Sequence, residues 1–523
     1  IRDRHINDPD PVFFVANRNI VIKDPLKLLL PKKARIHAGS DIVDLGVDIQ
    51  NLLLSDKSII VARGDIIYTI PEAGNSFVNT GIRVTGPGRA DIIAGGDVDL
   101  GISKGIRSDG NIDNFVLPEQ GADISVFAGV DNIDTGAFIA TYFEGDRSGD
   151  AALIDIDVPA YQRQLIDYVQ SDGYNGDIIE LITAVTGKDY INRADAIAAF
   201  NSLSPVQQLD IALASFRDSH PSEQRGLLLS VLFNEINTAA FQQASTGNEE
   251  EYARGFLAIN RLFGSIDDTK TALLPALVTG TPGDIELPFS RIVSRAGGDI
   301  NLLAPKGELT VGFTAAVANR SPNEGALGVI VSSKGDLSAL TDGNINVNLA
   351  RMLTLDGGDI SLWSSTGDID AGRGAKTELT IPPPLTVFDR KTGQIKIIFP
   401  PAVSGSGIGA ASFSPDTSPG KVTLAAPGGV INASDAGIRS EGDLVLAATQ
   451  VLGNDISAGG VSVGVPVATN VTAGLTGLSS TTDSAIQSAT KSVASTSADT
   501  STTNEGVALV TVEHIGYGEE EDE

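Results

Sequence analysis

The chain has 523 residues, 57 of them glycine, no cysteine and a formal net charge of −29. That length exceeds one compact core, so several domains or one elongated body are expected. The acidity argues against phosphate-neutralising nucleic-acid binding and simple docking to an anionic membrane, and the missing cysteines exclude disulfides, zinc–thiolate sites and cysteine nucleophiles.

No apolar run approaches the roughly 18 residues of a membrane span. The opening IRDRHINDPDP lacks the apolar stretch of a signal peptide, so any export signal is expected upstream. A cysteine-free chain also suits passage through an oxidising periplasm in an unfolded state.

From about Gly64 to Gly129 a phrase recurs: glycine, an acidic or amide residue, then a short alternating apolar run. It reads GDIIY at Gly64, GGDVDL at Gly95 and GADISVFAG at Gly121. After a long gap it returns as GGDINL at Gly297, GDLSAL at Gly335, GNINVN at Gly343, GGDISL at Gly357, GDID at Gly367 and GDLVL at Gly442. Gly335 to Gly358 is 23 residues, Gly343 to Gly367 is 24, and Gly420 to Gly442 is 22. Two interleaved series with a common period imply a coil with more than one corner per turn.

Between corners the residues alternate, with Ile300 and Leu302 against Asn301 and Leu303, and Ile360 and Leu362 against Ser361 and Trp363. That is the strand period. Short strands at a rung-like repeat predict a parallel (right-handed) β-helix, each rung burying inward Ile, Val and Leu. Glycine accepts positive φ at corners, and Asp or Asn satisfies turn N–H groups.

Helical periodicity replaces the phrase from about 159 to 264. Ser204, Pro205 and Gln207 supply an N-cap, an N1 proline and a capping-box partner. Val206, Leu209, Leu213 and Phe216 form one stripe, Leu228, Val231, Leu232, Ile236 and Ala240 a second, and Tyr252, Phe256, Ile259 and Phe263 a third. Four to six short helices in an inserted bundle are expected.

Farther on, IPPPLTVFDRKTGQIKIIFPP predicts a projecting β-hairpin, Leu385 and Val387 against Ile395, Ile397 and Phe399 around a Lys391-Thr392-Gly393 turn. The expected organisation is thus β-helix over 1–158, helical insertion over 159–264, β-helix over 265–460 with a hairpin at 381–402, and a tail over 461–523. The tail is Ser/Thr/Ala-rich, with one candidate strand, VALVTVEHI, before an acidic end.

Three phrases, GPGRADIIAGGDVDLG at Gly86, SDGNIDN at Ser108 and ALVTVEHIGYG at Ala508, together with the inserted helices, resemble the C-terminal domain of filamentous haemagglutinin-like large exoproteins. These are the passenger family of two-partner secretion. The resemblance implies export through an outer-membrane barrel transporter and an extracellular or cell-surface location on a Gram-negative bacterium. It also implies a β-helical filament acting in adhesion, haem acquisition, signalling or contact-dependent inhibition. The family's secretion domain is not among these residues, and the resemblance carries over no site residue.

Candidate sites are few. Asp97/Asp99, Asp155/Asp157 and Asp368/Asp370 have the i, i+2 spacing that puts two carboxylates on one strand face, as a glycosidic acid and base would need. Two of these pairs begin at the corner phrase, where Asp has a turn role, and a structural role is expected. Calcium on such pairs is left open, because no EF-hand loop or GGxGxD run is present. His5, His37, His220 and His514 lie outside metal-ligand spacing, and His220 is expected at a solvent-exposed helix junction. There is no G-x-S-x-G elbow, and GSGIGA at Gly405 is not a dinucleotide fingerprint.

Trp363, the single tryptophan, is expected either to cover the coil surface or to stack on a sugar. We therefore assign no catalytic or cofactor-binding residue from sequence. Elements extruded from a uniform coil are its natural recognition surfaces, namely the bundle and the hairpin, although the bundle could equally be a spacer or a cover for an exposed face. The expectation is a non-enzymatic adhesin or cell-contact shaft whose partner is a host or bacterial surface glycan or protein. The alternatives are a polysaccharide-active β-helix enzyme and a ligand-sensing exoprotein.

Overall fold

The computed structural model describes residues 8–22, 26–69, 80–111, 116–130, 135–146, 148–264, 281–314, 327–374, 406–412 and 417–464, with His5, Asn114, Ile133 and four strand backbones between 379 and 404. The tail beyond 464, with VALVTVEHI and His514, and the 391–393 turn lie outside the described residues.

The coil is a parallel β-helix with three strands per rung. One 19-stranded parallel sheet carries two faces of every rung, and a 10-stranded parallel sheet carries the third. The first face is built in order from Val12–Ala16, Ala34–Ala38, Lys57–Ala62, Arg89–Ala94, Asp123–Phe127, Ile300–Ala304, Leu337–Thr341 and Ile360–Ser364. The leading parts of Val422–Asn432 and Leu444–Leu452 complete it. These define rungs 1 to 10, and Ser462–Val463 opens an eleventh. Second-face strands are mostly dipeptides or tripeptides such as Ile66–Ile67.

Inward residues make one continuous core from Ile36 through Ile92, Ile300 and Leu362 to Leu446. Where a third-face strand ends in a buried hydroxyl, as at Ser294, Thr354 and Ser440, that hydroxyl donates to the carbonyl of Gly297, Gly358 or Asp443, because a buried polar group without a partner is costly.

The recurring phrase marks the corners on either side of the first face. At the leading corner Gly298, Gly335, Gly358, Gly420 and Gly442 stack rung on rung. A Cβ on Gly358 would lie 1.8 Å from the Gly335 carbonyl oxygen, and one on Gly420 would lie 2.1 Å from that of Gly358. Glycine is required here because the preceding rung occupies the space of a side chain. Gly358→Ala should therefore lower stability by about 3 kcal/mol in urea denaturation, with the stacking displaced locally.

Among the described residues, seven α-helices leave the coil between the first and second faces of rung 5. They are α1 (Thr135–Tyr142), α2 (Val158–Gln170), α3 (Ile179–Thr186), α4 (Arg193–Phe200), α5 (Pro205–Asp218), α6 (Pro221–Thr246) and α7 (Ala253–Phe263). Helix begins upstream of residue 159, because α1 packs Phe138 and Tyr142 into the bundle core without any charged terminal turn to announce it. The α5 capping box forms as expected, with Ser204 Oγ accepting from Gln207 N–H and Gln207 Oε1 accepting from Ser204 N–H. Val206, placed in the apolar stripe by spacing, is instead 68% exposed at the first turn. The other two stripes are buried.

One helix is not short. α6 has 26 residues, about 39 Å at 1.5 Å per residue, and eight rung spacings come to about 38 Å. It lies along the stacking direction. Its N-terminal Glu223 pairs with Lys57 of rung 3, Asn237 bonds Ser361 of rung 8, and Ala244 meets Gly464 beyond rung 10. The bundle therefore covers the first face rather than standing away from it. Phe127, Leu303, Leu340, Trp363, Ala425 and Ala447, the outward apolar row of rungs 5 to 10, belong to the bundle's core and not the coil's.

The hairpin backbone pairs Leu385–Asp389 antiparallel to Gln394–Ile398, with Leu385 opposite Ile398. A second antiparallel pair, Leu379–Thr380 with Val403–Ser404, closes its base.

Candidate functional site

The three acidic pairs resolve into structural roles. Asp97 Oδ1 accepts the N–H of Asp284 one rung on, at 2.9 Å, and Asp99 Oδ1 accepts from Gly101 at 2.8 Å. Asp368 accepts from Val430 N–H at 2.7 Å, while Asp370 accepts from Gly372 N–H and the Ser434 and Asn432 side chains. Asp155 and Asp157 lie in a loop rather than on a strand, and Asp157 N-caps α2 through Ala160 N–H. Burial pushes the Asp99 carboxyl above the usual carboxylate range, and neighbouring Asp97 adds to it.

The corner aspartates do more than satisfy their own turn. Each accepts a backbone N–H from the equivalent position of the next rung, making a ladder. At the trailing corner of the first face the acceptors run Asn19, Asp41, Asp65, Asp97 and Asp284, with Asn344 and Asp368 farther along. At the leading corner Asp123 accepts from Asp299 N–H (3.0 Å), Asp299 from Asp336 (2.9 Å), Asp336 from Asp359 (2.8 Å) and Asp359 from Lys421 (2.9 Å). A bond spanning two rungs fixes stacking register as well as the corner.

Trp363 is fully buried. Its ring meets the edges of Tyr252 and Phe256 at centroid distances of 5.8 and 5.4 Å, and its Nε1–H donates to Ser365 Oγ at 3.1 Å. Stacking on a sugar is thus closed to it. His220 is exposed, as expected, and its Nδ1 accepts the Ser222 N–H, which caps α6. His37 lies on the outward side of rung 2. Among the described residues no three acidic or histidine side chains converge as a metal centre.

The bundle is anchored through buried charge. Asp91, wholly inaccessible, takes Arg89 Nε at 2.9 Å and Arg225 Nη1 at 2.7 Å. Arg89 also donates to the Ser222 carbonyl and Lys57 pairs with Glu223, so three cations from the coil and α6 meet two carboxylates at the N-terminal half of that helix.

Next to this anchor lies a polar furrow that the sequence does not announce. It runs between α6 and the leading corner, with a cavity volume of about 300 Å³. The aspartate ladder forms one wall, Ser125, Asn301, Ser338 and Ser361 the floor, and Ser230, Asn234 and Asn237 of α6 the other wall. Arg89 stands at one end and Lys421 at the other, the latter 3.5 Å from Asp359. Burial, together with the Asp123 charge, pushes the Asp299 carboxyl up to about 6. Burial and the Asp299 and Asp359 charges do the same for Asp336, also to about 6, although that residue still reaches solvent at the mouth. Burial raises Asp123 as well.

A carboxyl with a raised folded pKa binds more protons folded than unfolded, so its contribution to stability is lost as pH rises from near 4 through 6. In EDTA, the melting temperature should fall over that window. Asp299→Asn and Asp336→Asn should flatten the fall, as differential scanning calorimetry at stepped pH would show.

A parallel coil, glycine–aspartate corners and the closing hairpin are all in place over the last rungs. Residues 357–467 match the family model described as filamentous haemagglutinin family outer membrane protein. The matched segment takes in rungs 8 to 10, the start of the eleventh and the hairpin, and ends within the first residues of the 461–523 tail. The phrases at Gly86, Ser108 and Ala508 that carried the resemblance lie outside it. Comparison with curated proteins and with solved structures gave no match. No helix among the described residues is long and apolar enough to cross a membrane.

Proposed function

We propose that this chain is a non-enzymatic segment of a secreted or surface-exposed exoprotein, exported through the outer-membrane transporter of a two-partner secretion system and serving adhesion or cell contact. The observation that carries the reading is the use of the acidic pairs. The carboxylates of Asp97, Asp99, Asp157, Asp368 and Asp370 accept bonds that hold rungs, corners or a helix start, where a glycosidase needs two of them facing a substrate. The family description of residues 357–467 supports the surface setting.

The mechanism is presentation. The coil supplies a stiff support, and the contact falls to what it leaves exposed, above all the α3–α5 end of the bundle with Val185, Ile191 and Val206 open to solvent. The partner is a surface glycan or protein. The test applies the purified chain to a glycan array and to whole cells, scoring retained protein and released sugar together. Retention without release, weakened tenfold or more by Ile191→Asp with Val206→Asp, is the expected result. Shortened or unsaturated sugar in the supernatant would overturn the reading in favour of a polysaccharide-active enzyme.

A further inference from the structure

The furrow beside α6 has features that a corner ladder alone does not explain. Ser125 is 0% exposed, and its Oγ, which lines the furrow, has no hydrogen-bond partner. The Asn237 side-chain carbonyl, three rungs along, also lacks one. A buried hydroxyl or amide left without a partner costs about 1–3 kcal/mol, so both call for a polar occupant.

The acidic wall adds a charge requirement. Each ladder aspartate gives one oxygen to the next rung's N–H, which leaves its other oxygen for the furrow. Among the described residues neither Asp299 nor Asp336 has an ion-pair partner, while at the row's two ends Asp123 feels the charge of Arg89 and Asp359 lies 3.5 Å from Lys421. The unmet charge lies in the middle.

Its arrangement selects the kind of cation. The carboxylates follow a line at the rung spacing of about 4.8 Å and do not converge on a point. A compact divalent ion wants six to eight oxygens around one centre. A linear cation wants a row. Ser125 and Asn237 lie about 14 Å apart, three rung spacings. An extended aliphatic triamine places its terminal nitrogens roughly 11 Å apart at about 1.2 Å per bond. Each terminal ammonium then reaches one orphaned acceptor by a hydrogen bond of about 2.9 Å.

We propose that this furrow binds a linear polyamine, its ammonium groups set along the carboxylates of Asp299 and Asp336 and its ends against Ser125 and Asn237. Seated there, the polyamine bridges α6 to rungs 5 through 8 and locks the bundle to the coil. The half-exposed Asp359–Lys421 pair marks the end through which it enters.

The probe is spermidine, titrated calorimetrically into the full chain at physiological ionic strength, with calcium chloride run in parallel. The decisive variant is Asp299→Asn with Asp336→Asn. It keeps the fold, because Asn19 and Asn344 already hold the same N–H bond in the other ladder. The control is Asp284→Asn in that other ladder, which removes one charge well away from the furrow.

Saturable 1:1 binding of spermidine, weakened at least tenfold in the double variant and unchanged in the control, is the expected result. Circular dichroism of each variant verifies folding. Binding equally strong in the double variant would mean general attraction to a chain of charge −29 and would overturn the proposal. So would saturable binding of calcium without spermidine, or no saturable heat from either.

Discussion

Asp91→Ala should be the most damaging single exchange at the junction of coil and bundle, lowering stability by about 3–5 kcal/mol in urea denaturation. The reason is what it leaves behind. Asp91 is wholly buried between Arg89 and Arg225, and Arg89 is itself only 6% exposed. Removing the carboxylate strands two guanidinium groups in a region of low dielectric, and the Ser222 carbonyl and Lys57–Glu223 pair nearby cannot compensate both. Limited proteolysis should show the N-terminal half of α6 opening before the rungs do. A loss under about 1 kcal/mol would mean that the charge cluster is incidental to docking and that apolar packing alone holds α6.

Trp363→Ala should cost a similar amount, about 3–5 kcal/mol, by leaving a large cavity between rung 8 and α7. The indole fills the space under Gly255, where an added Cβ would lie 2.6 Å from the ring, so Gly255→Ala should loosen the same contact from the other side. Because Trp363 is the single tryptophan, native fluorescence reports on this contact directly. Emission should be that of a dry indole and should shift to the red as the bundle separates. A solvated native spectrum would contradict the docked arrangement.

The coil is legible in the sequence because it is local and repeated. Glycine corners 22 to 24 residues apart and strict alternation in segments such as INLLA and ISLWS give rung length, corner count and the inward set. The same alternation carries a second message that spacing alone does not decode. On rungs 5 to 8 the outward residue ahead of the trailing corner is Phe127, Leu303, Leu340 or Trp363, which announces a covered face. What covers it is illegible, since contacts such as Asn237 with Ser361 join residues 124 apart in the chain.

Spacing identifies the corner aspartates as turn formers, whereas their bonds to the next rung need the stacking to be known first. The furrow escapes for the same reason. Asp123, Asp299, Asp336 and Asp359 sit at or just before the start of the first-face strands of successive rungs, but an insertion and unequal loops scatter them in sequence. Superposing the rungs on their glycine corners lines them up.

The path of α6 carries a consequence for timing. The chain leaves the coil at rung 5, yet the helix it sends out rests on residues as late as Gly464. A polypeptide that emerges from its N-terminus onward therefore presents the C-terminal half of α6 before the rungs meant to receive that half exist. Ile236, Ala239 and Ala240 share their core with Leu340, Trp363 and Val445, all of which come later in the chain. Docking of that half then comes last and registers completion: an arrest before rung 10 leaves part of its apolar face uncovered, and a finished coil hides it.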